Sequence, residues 1–252
     1  MEPTVQTFTK ASENEIKARQ TAAQAFRNCP IPDEEIVASS SLFLKRQDLT
    51  KILFFDDLYR NHIMHHHGVI IELGVRWGKN LVLLNNLRGI YEPFNHHRKI
   101  IGFDTFEGFP SVSIQDGNHE IIREGGLNVT PGFEHYLEGL LAYHEAECPL
   151  SHIKKNTVVK GDATVALKEY LDSHPETTLS MVWFDFDIYE PTKQCLEIIK
   201  PYISKGTVLG FDELCDTTFP GETVALREAL GLNNVRIQRN RYSGAQSFIV
   251  VE

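Results

Sequence analysis

The segment Met181-Val182-Trp183-Phe184 is an apolar run that stops at Asp185-Phe186-Asp187, and no other feature constrains the chain as strongly. The run reads as a buried strand. Residues two apart on extended backbone project toward the same side, so Asp185 and Asp187 face one region. Two ionised carboxylates at close range repel each other unless a positive charge lies beside them. The next apolar run, residues 206–211, ends the same way, in Asp212-Glu213. In an open parallel α/β sheet the crevice beyond the strand C-termini is where ligands bind. Four carboxylates from neighbouring strand ends therefore suggest a hard divalent cation, although Asp-x-Asp pairs also occur in solvated turns.

From Gly68 onward apolar runs alternate with amphipathic stretches, the pattern of a doubly wound, mostly parallel α/β sheet. Strands are expected at 69–71, 99–103 and 157–159, followed by the two that end in the acidic pairs. Helices are expected from Lys79, through Leu171, from about Pro191, and from Pro220-Gly221-Glu222 to Gly231. Residues 235–238 and 247–251, joined through Ser243-Gly244, suggest a closing antiparallel hairpin. The first 67 residues form a separate helical segment. It has one helix over 11–27, stopped by Cys29-Pro30, and another over 48–59 whose apolar face is Leu49, Ile52, Leu53 and Leu58. Residues 68–252 form the main domain. Within it, about 111–150 is too long for a simple connection and reads as a lid insertion, with Thr130 capping a helix at Pro131.

The 34 acidic against 25 basic residues give a net charge of -9, which argues against a nucleic-acid partner. The basic stretch 236–241 reads as a solvated edge strand. Cys29, Cys148, Cys195 and Cys215 are far apart and form no Cys-x-x-Cys pair, which fits reduced thiols rather than a disulfide scaffold. Neither a signal peptide nor a run of membrane-spanning length is present, so a cytoplasmic protein without a membrane partner is expected. The apolar residues of the N-terminal helices suggest a homo-oligomer.

The turn after the first strand reads Glu72-Leu73-Gly74-Val75-Arg76-Trp77-Gly78. This Glu-x-Gly-x-x-x-Gly departs from the dinucleotide fingerprint Gly-x-Gly-x-x-Gly. A carboxylate in the first glycine's place repels a pyrophosphate but suits an ammonium or sulfonium ligand. Asp104 ends the second strand, where an acid accepts hydrogen bonds from ribose hydroxyls, with Thr105 beside it. Asp162 ends the third strand, with Ala163 following, and could accept from an adenine amine. An adenosine ligand with a cationic tail, S-adenosylmethionine, satisfies this set. Arg76 could pair with its methionine carboxylate.

These residues resemble a class I S-adenosylmethionine-dependent methyltransferase, which implies a seven-stranded Rossmann-like sheet. The motifs Gly102-Phe103-Asp104-Thr105-Phe106-Glu107-Gly108-Phe109-Pro110 and Phe184-Asp185-Phe186-Asp187-Ile188-Tyr189-Glu190-Pro191-Thr192 resemble, more narrowly, the macrocin-type sugar O-methyltransferases of antibiotic biosynthesis. The resemblance spans roughly residues 68–213. It implies methylation of a sugar hydroxyl, on a deoxysugar attached to a nucleotide or natural product. It also implies Mg²⁺ held by Asp185, Asp212 and Glu213, with Asp187 as general base. Glu213 departs from the family pattern, in which an aspartate is common. A hard cation holding two vicinal hydroxyls would make the acceptor easier to deprotonate. The same chemistry would serve a catechol-like diol. A metal-dependent phosphoesterase and a non-catalytic adenosylmethionine-binding protein are further alternatives, the first leaving Glu72 and Asp104 unexplained.

Other residues invite a role. His65-His66-His67 and His96-His97 precede strands, away from the crevice, and read as surface residues. His119, His135 and His144 fall in the expected lid, within reach of an acceptor. Trp77, Trp183 and Phe103 read as packing residues.

Overall fold

The computed structural model describes residue 5 and residues 8–252. Among these, fifteen regular elements build one sheet with helices on both faces. The N-terminal segment supplies α1 (Glu13–Arg27), α2 (Asp33–Ile36) and α3 (Arg46–Asn61). The α/β body follows as β1 (Val69–Leu73), α4 (Lys79–Tyr91), β2 (Ile100–Asp104), α5 (Phe133–Ala146), β3 (Asn156–Lys160) and α6 (Ala163–Ser173). It continues through β4 (Leu179–Phe184), α7 (Tyr189–Ile199), β5 (Val208–Phe211) and α8 (Gly221–Leu230) to the terminal strands β6 (Gln238–Arg239) and β7 (Ser247–Val250).

The sheet order is β3-β2-β1-β4-β5-β7-β6, parallel from β3 to β5 and antiparallel where β7 meets β5 and β6. This is the expected doubly wound sheet with its antiparallel closure. The order in which strands are added reverses between β1 and β4, which places the crevice at the carboxyl ends of those two parallel strands. Strands β1, β4 and β5 are buried along their whole length, as their largely apolar sequences, broken by Glu72 and Ser180, lead one to expect. The hairpin is shorter than expected: residues 235–237 do not pair, and β6 has two residues.

Helix α1 starts where the sequence places it, because Ser12 and Glu15 form a reciprocal capping box. None of its residues is buried. Helix α3 differs from expectation in which face it buries. Leu49 and Leu53 remain 45% and 46% exposed, while Phe54, Phe55, Leu58 and Tyr59 are buried. The aromatics decide the rotation, because Phe54 and Phe55 meet the Trp183 ring at centroid distances of 5.9 and 4.7 Å.

Within residues 111–150, helix α5 packs on α4 and β3 rather than over the crevice. It begins at Phe133 behind Gly132, whose φ of 80° suits glycine, not at a Thr130 cap. Leu137 and Leu141 enter the core, and Glu145 bridges Arg88 of α4 to Lys155 beside β3. The segment bordering the crevice is instead 105–127. It is fastened by Asp116, which accepts from the Tyr189 N–H at 2.5 Å and from Ser113. No helix among the described residues is long and apolar enough to cross a membrane.

The partner of Trp183 across the sheet is Gly210, and a Cβ there would lie 2.2 Å from the indole Cε3. The indole therefore lies across β5 only because the facing residue has no side chain. Gly210→Val should overpack this contact and destabilise the protein by about 2–3 kcal/mol, read as a lower urea midpoint; an unchanged midpoint would contradict the packing described.

Candidate active site

The carboxyl ends of β1, β2, β3, β4 and β5 open into one cleft. Of the residues expected from sequence, Gly74, Arg76, Asp104, Thr105, Asp162 and Ala163 line it on one side. Asp185, Asp187, Asp212 and Glu213 line it on the other. Two expected residues lie outside the lining. Glu72 is buried beneath the floor at 1% exposure. Gly78 caps α4 with φ 71°, a left-handed conformation, and a Cβ there would meet Leu137 at 2.3 Å, so its need for glycine comes from backbone conformation and packing. His119, His135 and His144 are not among the lining residues; His119 packs edge-on to Phe8, and His135 is exposed beside Glu138.

The glycine turn is set by close chain approach. Gly74 has φ 90°, and a Cβ on it would sit 2.1 Å from the Asp185 carbonyl oxygen. Asp104 then stabilises the turn, accepting from the N–H groups of Arg76 at 2.7 Å and Phe106 at 2.5 Å. Burial nevertheless raises its pKa. Asp162 accepts from the Thr164 N–H and hydroxyl, which makes it the N-cap of α6. Both acids thus hold local structure in addition to facing the cleft.

The β4 and β5 ends concentrate negative charge. Asp185 accepts from Asn80 Nδ2 at 3.1 Å and Trp183 Nε1 at 3.4 Å, yet burial and then the charge of Asp212 push its pKa up to about 8. Asp187 is 7% exposed and sits at φ 64°, a left-handed conformation costly for a residue with a side chain. Its pKa is raised by burial and then by Glu213, whose carboxyl is close enough to share a proton with it. Glu222, fully buried on α8, is raised by burial and by Glu213. It accepts from the Glu213 N–H at 3.4 Å through one oxygen, while its other oxygen has no partner. Against these acids stands Lys51 of α3, with Nζ 3.1 Å from Asp212 Oδ1. Burial opposes its charge, but Asp212 and then Asp185 raise its pKa overall. Gln246 also donates to Asp212, at 3.0 Å.

The donor set fits a hard divalent cation by chemistry: Asp185, Asp212 and Glu213 offer oxygens, and Glu213 Oε2 is buried without a partner. These oxygens are not gathered about one point. Among the described residues no three His, Cys, Asp or Glu side chains are grouped to hold an ion. Asp212 is instead engaged by Lys51 and Gln246.

Lys51, Asn80, Gln246 and Glu222 were not singled out from sequence. Asn80 had a signal, standing two residues beyond the glycine turn. The other three reach the site from elements whose packing, not spacing, brings them there. A second wall is apolar: Phe109, Ile188 and Phe219 line it with Phe8 from the N-terminal segment, and Ile121 packs in the same cluster.

No family model matches the sequence, and no curated protein matches it. Solved structures do. The calicheamicin methyltransferase CalS11 is 37% identical, with 99% of this chain and 98% of that chain covered at a TM-score of 0.93. An apo structure of CalS11, described as a TDP-rhamnose 3'-O-methyltransferase of calicheamicin biosynthesis, aligns at 35% identity over 96% of both chains, TM-score 0.84. The O-methyltransferase NovP shares the fold at 16% identity, covering 82% of this chain and 78% of its own, with a TM-score of 0.55.

Both Glu72 carboxylate oxygens are buried without a hydrogen-bond partner, and burial, then Asp185, raises the pKa well above its ordinary value of 4.5. A folded-state pKa above the unfolded one contributes stability at low pH that is lost as pH rises through the folded value. Glu72→Gln removes this loss. The variant should exceed the parent in stability by about 1–2 kcal/mol at pH 8 and by less at pH 5, measured by thermal melting of the ligand-free protein. A parent more stable than the variant at pH 8 would show that Glu72 is compensated.

Proposed function

Because this chain belongs to the S-adenosylmethionine-dependent sugar O-methyltransferases, the family of its 37% identical relative, we propose that it methylates a hydroxyl of a nucleotide-linked deoxysugar in natural-product biosynthesis. The observation that carries the reading is Asp187, a buried carboxylate in a strained backbone conformation at the cleft, with its proton affinity raised. The acceptor class follows from the TDP-rhamnose specificity stated for CalS11. A phosphoesterase or a non-catalytic binder has no support from these relatives.

The cleft residues fit S-adenosylmethionine. Glu72 is buried beneath the turn without a hydrogen-bond partner, and a ligand carrying ammonium and sulfonium groups there would favour its ionised form. Gly74 lets the turn pass close against the Asp185 backbone there. Asp104 and Asp162, at successive strand ends, would accept from ribose hydroxyls and the adenine amine, with Thr105 and Ala163 beside them and Arg76 toward the methionine carboxylate. The ligand supplies the electrophilic methyl group.

Asp185, Asp212 and Glu213 would hold Mg²⁺, which supplies Lewis acidity to the acceptor oxygen. The remaining chemistry belongs to the chain. Asp187 accepts the hydroxyl proton; its raised pKa brings it closer to the alcohol's, which favours that transfer. Its neighbour Glu213 raises that proton affinity further. The wall of Phe8, Phe109 and Phe219 excludes water from the acceptor side.

Asp187→Asn keeps the shape and removes the base. It should lower kcat for methyl transfer to TDP-rhamnose by about 10²–10⁴-fold while leaving S-adenosylmethionine affinity within about twofold. EDTA should abolish turnover by the parent, and Mg²⁺ should restore it. Full activity of Asp187→Asn would remove the base assignment, and turnover indifferent to EDTA would remove the metal.

A further inference from the structure

Helix α3 is anchored on Trp183 by Phe55, and Lys51 stands four residues earlier on the same face. The anchoring therefore carries Lys51 over the carboxyl ends of β4 and β5. There its Nζ lies 3.1 Å from Asp212 Oδ1, with Asp185 and Glu72 as the next negative charges. The same Asp212 oxygen accepts from Gln246. At the other end of the cluster, Glu213 Oε2 and Glu222 Oε1 are buried without partners. The carboxylates are thus neutralised on the Asp212 side and uncompensated on the Glu213 side.

We propose that Lys51 is a built-in competitor of the divalent cation: its ammonium and the ion contend for Asp212, so the ion is admitted only as Lys51 withdraws. The inference rests on the reading of Asp185, Asp212 and Glu213 as the cation site. An ion about 2.0–2.1 Å from an Asp212 oxygen would stand against an ammonium already on that carboxylate, and two positive charges at such range repel. Withdrawal has a path. The Lys51 side chain keeps 26% of its surface exposed, and Asp48 stands one turn back on α3 as an alternative partner.

Mn²⁺, a paramagnetic hard cation, is the probe. Its binding to the full-length parent, Lys51→Met and Lys51→Arg is measured by electron paramagnetic resonance and by calorimetry, with melting curves to confirm folding. Lys51→Met, which keeps the aliphatic length without the charge, should bind Mn²⁺ at least tenfold more tightly than the parent. Lys51→Arg, which keeps the charge, should bind no more tightly. Lys51→Gln serves as a second neutral replacement should the Met variant melt early. Mn²⁺ bound by the neutral variants alone also supports the competition. Equal or weaker binding by them, with the parent binding, overturns the competition and leaves the cation site standing. No binding by any of the proteins overturns both.

Discussion

The structure turns on negative charge buried where two parallel strands end. Asp185 and Asp187 follow β4, Asp212 and Glu213 follow β5, and Glu72 and Glu222 lie fully buried around them. Lys51 is the cation set directly among them. Carboxylates so placed destabilise the fold through desolvation and mutual repulsion, which is why the proton affinities of Asp185, Asp187, Glu213 and Glu222 all rise. A protein keeps such a cluster when a ligand or a reaction uses it. The cleft, the strained Asp187 and the docking of α3 are all arranged around that charge.

The surrounding fold is built to hold this cluster in place. The Trp183 indole lies over Gly210, carries α3 on its other edge through Phe54 and Phe55, and donates to Asp185. One side chain thus joins sheet packing, the N-terminal helix and the acidic site. Asp116 ties the 105–127 segment to the first residue of α7, two residues beyond Asp187. The site is therefore positioned by packed elements rather than by free loops, as a reaction that needs aligned oxygen and methyl groups requires.

Much of this was legible in the sequence. Apolar runs ending in acids gave the strand ends, and the alternation with helices gave the doubly wound sheet, because both signals are local and periodic. The Glu-x-Gly-x-x-x-Gly turn pointed to a cationic ligand through charge alone. What escaped was decided by tertiary contacts. Leu49 and Leu53 have the spacing of a buried face, but Phe54 and Phe55 bury more area against Trp183 and turn α3 the other way. That rotation also brings Lys51 to Asp212, a pairing across 161 residues that no spacing encodes. Helix α5 looked like part of a lid because nothing local reveals that Glu145 will meet Arg88 and Lys155. Gly78 was legible as a needed glycine, but its causes, a left-handed φ and the Leu137 side chain, were not.

The most direct measurement is calorimetric titration of the purified protein with S-adenosylmethionine, since the family relationship and the roles proposed for the cleft and for Glu72 all depend on that ligand. The account predicts saturable binding of one molecule per chain at micromolar affinity. No detectable heat and no binding, at any pH where the protein is folded and with or without Mg²⁺, would contradict it.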